Sequence, residues 1–391
     1  MKEKAVTSIE GIHFETGNPV SVEIVDGLIS KIKETAGTKS AADKLFIAPG
    51  LIDNQINGYG GVDYSEDSLS VEGVVNSAKS IWKHGVTTFV PTLVTSSNET
   101  LLRNFGILAE ALDENEQLRE SIIGFHLEGP YISPDEGFRG CHPVQHVRKP
   151  SLKEFDQYQK AAGGRIILVT IAPETDGALE FIKVCRQNGV AISIGHSNAS
   201  ADQIDDAVRA GAGLSTHLGN GCANFIHRHH NPIWPQLAND NLVSSVIADG
   251  LHLLPDELRV FYKVKGPDNL FVISDISSLS GMAPGKYTYL GSEVLLTEEG
   301  MLLNAGENCL AGASFPIIKG VGNMMKFTGC SLSQAINMAS ANVARFYNLS
   351  DRGTLTPGKR ADIIMFENTE NQIKIKKTLL GGNLVFSSPN T

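Results

Sequence analysis

Between about residues 49 and 348 the chain repeats one pattern eight times: a short apolar run that ends in polar residues, alternating with stretches of helical spacing. The runs are LFIAPGLIDNQING, TTFVPTLVT, SIIGFHLEG, RIILVTIAPE, VAISIGHS, AGLSTHLGN, LVSSVIADG and NLFVISDI. SVEGVVNSAKSIWKHG and SADQIDDAVRAG are two of the intervening stretches, with apolar residues recurring at the period of a helix face. Eight strands alternating with helices imply a mostly parallel sheet closed on itself, an α/β fold of the (β/α)8 TIM barrel type. The flanks read differently. VSVEIVDG and LISKIKE before the barrel, and TLTPGKRADIIMFE and QIKIKKTLLGGNLVFS after it, alternate apolar and polar residues between Gly and Pro turn signals. They predict one small β-sandwich domain built from residues 1–48 plus 349–391, beside a barrel of residues 49–348.

Charge and cysteine content then narrow the class. The 391 residues carry a net charge of −10 and no run of Lys or Arg, which argues against nucleic acid or an anionic membrane as partner. The amino-terminal MKEKAVTSIEGIHF lacks the apolar stretch of a signal peptide, and no later segment reaches the roughly 18 apolar residues of a membrane span, so a cytoplasmic protein is expected. Five scattered cysteines with no CxxC spacing suggest neither a disulfide framework nor a thiolate metal site.

In a barrel of this kind the chemistry sits at the carboxyl ends of the strands, so the polar residues that close the apolar runs are the candidates. They are Gln55 and Asn57, Glu128, Glu174, His196, His217, Asp249 and His252, and Asp275. Glu128, His196 and His217 end the third, fifth and sixth runs, and a carboxylate with two imidazoles is a three-ligand shell for a catalytic divalent metal. His126 shares the inward face with Glu128 and reads as a core polar residue rather than a fourth ligand. Gln55 and Asn57 stand where an HxH pair would hold a second metal, and amides are weak ligands, so one metal is expected. Asp275 can carry a proton or, as its plainer alternative, cap a helix in competition with Ser277. Glu174 reads as structural, and Asp249 as a turn or supporting residue. NGYGG at 57–61 fits no nucleotide-binding motif and is expected to be a flexible loop at the barrel mouth. HRHH at 227–230 is the one cluster of positive potential; it suits either a solvated loop or a phosphate contact through Arg228.

Taken together, APGLIDNQINGYGG, GFHLEGPYISP, GCH, IAPE, IGHSNA, THLGNG, IADGLH, ISD, LAGAS and RGTLTPGKRADI resemble the N-acetylglucosamine-6-phosphate deacetylases of the amidohydrolase superfamily. The resemblance runs in order from about residue 48 to 367. It implies metal-dependent removal of the acetyl group from N-acetylglucosamine 6-phosphate, an amino-sugar phosphate. By position it implies Glu128, His196 and His217 as metal ligands and Asp275 as acid and base. His142 would contact the sugar and steady the carbonyl oxygen. Asn220 and Gly221 would meet the phosphate, His252 would touch the substrate, and Arg228 would be donated across a homodimer interface. Gln55 and Asn57 agree with members that work with a single metal; zinc is the first expectation, with iron, cobalt or manganese open. THLGNGCANFIHRHHNP departs from the usual segment on the phosphate side, and ISDISSLSG departs beyond its aspartate. Three alternatives therefore stand beside it. One is a deacetylase of N-acetylgalactosamine 6-phosphate or of an unphosphorylated sugar. Another is a different amidohydrolase reaction, and the third a barrel that only binds a sugar phosphate.

Overall fold

The computed structural model describes residues 6–36, 45–304 and 309–389. The first residues of the amino-terminal segment and the side chain of Cys309, both part of the sequence expectations, lie outside them. Eight parallel strands form the central sheet in sequential order: β1 (Leu51–Ile56), β2 (Val86–Val94), β3 (Phe125–Glu128), β4 (Ile166–Ile171), β5 (Ala191–Ile194), β6 (Leu214–Ser215), β7 (Val243–Ile247) and β8 (Leu270–Ile273). Main-chain bonds from Asp275 N to Gln55 O at 3.1 Å and from Asn57 N to Ile276 O at 2.9 Å join the last strand to the first just beyond β8. β1 and β2 are buried along their whole length, as strands wrapped by helices must be, which explains why they read as apolar runs without clean alternation.

The helices form where the sequence spacing places them. Ser70 caps Val71–Trp82 by accepting from Gly73 N, and Ser200 with Gln203 forms a capping box at the start of Ala201–Ala210. Phe89, Phe105, Phe125, Phe181, Tyr131 and Tyr158 fill the layer between strands and helices, all fully buried.

The two flanking segments come together, as one sheet. Val6–His13, Pro19–Val25, Leu28–Glu34 and Phe46–Pro49 hydrogen-bond with Ile363–Thr369, Gln372–Leu380 and Asn383–Ser387 in one seven-stranded sheet. Three details differ from the sequence reading. The first apolar run is two strands, since Phe46–Pro49 belongs to the flanking sheet and the chain crosses to β1 at Gly50. A Cβ at Gly50 would lie 2.1 Å from Thr87 Oγ1, so only glycine fits the crossing. NGYGG is not a loose loop: Gly58–Tyr59 pairs with Val62–Asp63, and Gly60 N and Gly61 N donate to Ser280 O and Ser278 O. After β8 no helix starts at Asp275 or Ser277. The chain enters a turn and then an antiparallel sheet, Gly285–Tyr289, Ser292–Leu296, Leu302–Asn304 and Cys309–Leu310, before the next helix at Ile317–Thr328. The helix-cap alternative for Asp275 and Ser277 is thereby removed.

Candidate active site

The carboxyl ends of the strands open into a cavity of about 490 Å³. Its wall includes Glu128, His142, His196, His217, Asn220, Gly221, His252 and Asp275, which gathers every residue that the resemblance assigns to the site except Arg228; of the other strand-end candidates Asn57 lines it, and Gln55, Glu174 and Asp249 do not. Arg228 is exposed in the loop beyond Gly221 and does not line the cavity of its own chain. No Lys or Arg is present among the described residues that do.

Glu128 ends β3, and its Oε1 lies 2.9 Å from His217 Nε2 and 3.5 Å from His196 Nε2, while the two imidazole nitrogens are 3.1 Å apart. All three residues are buried. His196 Nδ1 donates to Phe138 O at 3.1 Å, which leaves its Nε2 as a bare lone pair facing the other two atoms. Three lone-pair atoms this close repel one another unless positive charge lies between them. The chemistry and burial of the set therefore fit a divalent cation, and Glu128, His196 and His217 are the residues that can hold it. Burial works against ionised Glu128, yet the two imidazoles facing it, His217 by a hydrogen bond, hold its carboxyl well below the usual range. Burial likewise lowers His217, and the Glu128 carboxylate overcomes that and raises it.

His126, two residues before Glu128, is not part of this shell. Its Nδ1 meets Thr92 Oγ1 at 3.1 Å and its Nε2 meets Thr170 Oγ1 at 2.7 Å, so both ring nitrogens are engaged one layer deeper. Burial pushes it down to about 4. Glu174 is structural as read, accepting from Ser197 Oγ at 2.7 Å and Asn198 N at 2.6 Å.

Asp275 is buried at the far side of the shell, its Oδ1 accepting from Gln55 Nε2 at 2.9 Å and Asn57 Nδ2 at 2.8 Å. Burial, and then the Glu128 charge, push its carboxyl up to about 6. His142 stands beside the shell, its ring centroid 4.3 Å from that of His196 and its Nδ1 2.7 Å from Thr95 Oγ1. Burial, and then His196, push it down to about 3, so the ring is neutral. His252 Nδ1 binds Asp249 Oδ2 at 2.8 Å, and Asp249 Oδ1 also accepts from Leu251 N and His252 N, which fixes the ring at the cavity wall. Asn220 Nδ2 is a buried donor without a partner, and Gly221 beside it has a φ of 59°.

Sequence reasoning missed several wall residues. Cys141, Tyr289 and Leu310 line the cavity, the last two from the four-stranded insertion, and so do Cys222 and Glu257. The alternation in YTYLGSEVLL marks strands but carries no sign that they return to the barrel mouth.

Residues 46–385 match the amidohydrolase family. A Bacillus subtilis N-acetylglucosamine-6-phosphate deacetylase is 32% identical over 377 residues, 94% of this chain and 93% of that protein. The chain belongs to the amidohydrolase family, among the N-acetylglucosamine-6-phosphate deacetylases. An Escherichia coli O157:H7 N-acetylgalactosamine-6-phosphate deacetylase is 29% identical, with 89% of this chain and 90% of that protein covered. A mutant of the Mycobacterium smegmatis N-acetyl-D-glucosamine-6-phosphate deacetylase, solved in complex with N-acetyl-D-glucosamine-6-phosphate, superposes with a TM-score of 0.85 at 28% identity. That match covers 97% of this chain and 100% of the other. For this amidohydrolase, no helix among the described residues is long and apolar enough to cross a membrane.

Proposed function

We propose that this amidohydrolase hydrolyses the N-acetyl group of N-acetylglucosamine 6-phosphate to glucosamine 6-phosphate and acetate, using one divalent metal per chain. The observation that carries the reading is the buried Glu128, His196 and His217 shell with Asp275 lining the same cavity. A cation held by those three residues supplies Lewis acidity, which makes water acidic enough to attack and draws charge from the acetamide carbonyl. Zinc is the first choice for a shell of two imidazoles and a carboxylate, with iron, cobalt or manganese suited to the same donors.

Asp275 takes the proton of the attacking water as its oxygen bonds to the carbonyl carbon. His142, its Nδ1 side anchored on the Thr95 hydroxyl, serves with its proton on Nε2 and donates to the oxygen that becomes negative. The carbon–nitrogen bond then breaks, the proton passes from Asp275 to the departing amine, and acetate leaves. Asn220 Nδ2, unpartnered and buried, is a donor placed for a phosphate oxygen, and Gly221 allows the backbone to approach it. His252, steadied by Asp249, orients the sugar. The phosphate charge is met by Arg228 of a second copy in a homodimer, which accounts for a cavity with no Lys or Arg among its described lining residues. The free thiols of Cys185, Cys222 and Cys330 are consistent with a reducing, cytoplasmic setting.

The test is acetate release from N-acetylglucosamine 6-phosphate, its galactosamine epimer and unphosphorylated N-acetylglucosamine, with metal counted in the same sample. Fast release from the phosphorylated glucosamine derivative with about one metal per chain is expected. Metal without release from any of the three would refute the reading.

A further inference from the structure

We propose that Gln55 and Asn57 form an amide clamp that fixes one oxygen of the Asp275 carboxylate and leaves the other to take and return the proton. The inference rests on the reading of Asp275 as proton carrier and gives a role to the pair that stands where other members of the fold can place metal ligands.

The geometry is specific. Both amide nitrogens converge on the same atom, Oδ1, at 2.9 and 2.8 Å, and Oδ2 receives neither. The carboxylate itself settles which end of each amide faces it, since a flipped amide would set oxygen against oxygen. Donors and acceptor are held in register by the seam that closes the barrel. Asp275 N donates to Gln55 O, Asn57 N donates to Ile276 O, and Asn57 Nδ2 also reaches Asp275 O at 3.4 Å. Gln55 near the end of β1 and Asn57 one residue beyond it both reach Asp275, so a single segment of chain supplies both arms. The clamp also has backbone strain to oppose. Asp275 has a φ of 52°, a left-handed conformation that persists only where its surroundings over-determine it.

Amides suit this task for a chemical reason. Two neutral N–H donors stabilise the ionised carboxylate in a site where burial disfavours it, and they bring no charge. An Arg or Lys in the same place would make the carboxylate too weak a base to take a proton from water. Imidazoles would titrate and compete for metal. The two arms differ in one respect. Asn57 lines the cavity and its Oδ1 is buried without a partner, so it also offers an acceptor to substrate. Gln55 is 1% exposed and does not line the cavity, so it reaches the chemistry only through Asp275.

Gln55 is therefore the probe, in metal-loaded enzyme with N-acetylglucosamine 6-phosphate. Gln55→Met keeps the bulk and removes the donor. Its kcat should fall about tenfold to a hundredfold, the loss expected for a misplaced catalytic group, with KM within about twofold and metal content and melting temperature unchanged. Gln55→Glu keeps the shape and sets a like charge against Asp275, and should move the acid limb of kcat to higher pH. A kcat within about twofold of wild type in both variants with an unchanged pH profile would overturn the clamp. So would a loss confined to KM or to metal content. If the wild type releases no acetate, the functional reading fails instead. The clamp is then judged by the carboxyl carbon-13 resonance of Asp275, assigned by its disappearance in Asp275→Asn. Its titration midpoint moves up in Gln55→Met if the clamp holds, and an unmoved midpoint refutes it.

Discussion

His196, His217 and Asp275 sit in left-handed backbone, with φ of 49°, 30° and 52°, at the points where strands give way to loops. Each such residue costs on the order of 1–3 kcal/mol, and three of them meeting at one cavity mark where the fold spends conformational strain on function. Asp275→Asn preserves the shape and cannot carry the proton, so kcat should drop about a hundredfold to ten-thousandfold with metal content intact. Substantial residual turnover would remove Asp275 from the role of base. The pH profile follows from the same carboxyl. Burial raises it from the 3.8 of an ordinary aspartate to about 6, and a cation in the Glu128 shell pulls it back down. Because the base must be ionised, activity is lost as pH falls, with the acid limb of kcat/KM lying between those two values. A limb above pH 7 would mean that another group is titrating. His126 gives the contrasting case. With both ring nitrogens on threonine hydroxyls, His126→Leu should leave the metal count unchanged and lower stability by about 1–3 kcal/mol, read from the denaturant midpoint, because two buried hydroxyls lose a partner. Loss of metal would make it a ligand after all.

Two short loops, not the strands alone, hold His196 and His217, the proposed metal ligands, in place. The turn at 137–142 accepts from His196 Nδ1 through Phe138 O and carries His142, and the turn at 219–223 packs against it. A Cβ at Gly221 would lie 2.9 Å from His196 Nδ1 and 3.1 Å from His217 Cε1. Gly221→Ala should therefore weaken metal binding by about tenfold to a hundredfold in competition with a chelator, as expected when the support of a ligand is disturbed. Gly164→Ala is the control, since Gly164 also has positive φ, 77°, but nothing within 4 Å of its Cβ position. It should lose stability and keep its metal; equal metal loss in both variants would reduce the Gly221 effect to backbone strain. The elements that sequence disclosed and those it concealed differ for a physical reason. A buried parallel strand must be apolar and must end in polar residues if it bears chemistry, so Glu128, His196, His217 and Asp275 were legible where the runs stop. Tyr289 and Leu310 come from an antiparallel sheet inserted after β8, whose alternation says that one face is covered but not by what. The engagement of Gln55 and Asn57 by Asp275 spans 220 and 218 residues and depends on barrel closure, which no local pattern encodes.

At the scale of the whole molecule, the lack of Lys or Arg among the described residues of the cavity wall bears on the proposed homodimer. A phosphorylated substrate entering this cavity would face the Glu257 carboxylate with no permanent cation among the described residues of the wall to offset it. Arg228 lies in the exposed loop beyond Gly221, and in the same stretch Phe225 is 96% exposed and Trp234 52% exposed, a burden of apolar surface that a partner subunit would cover. Arg228→Ala should lower kcat/KM for the phosphorylated sugar by about tenfold to a hundredfold, the range for losing a charged hydrogen bond, and leave the unphosphorylated sugar unaffected. That result alone does not say whose arginine it is. Subunit mixing does. Asp275→Asn has an inactive site but offers a normal Arg228, whereas Arg228→Ala has a normal site and offers none. In a hybrid dimer the Arg228→Ala site is completed by the arginine of the Asp275→Asn subunit. Random exchange of equal amounts makes half the dimers hybrid with one repaired site each, so about a quarter of all sites should recover wild-type kcat/KM. Activity no greater than the average of the two parents, measured after exchange has been verified, would place Arg228 outside the neighbouring site and leave the phosphate to Asn220 and Gly221 within one chain.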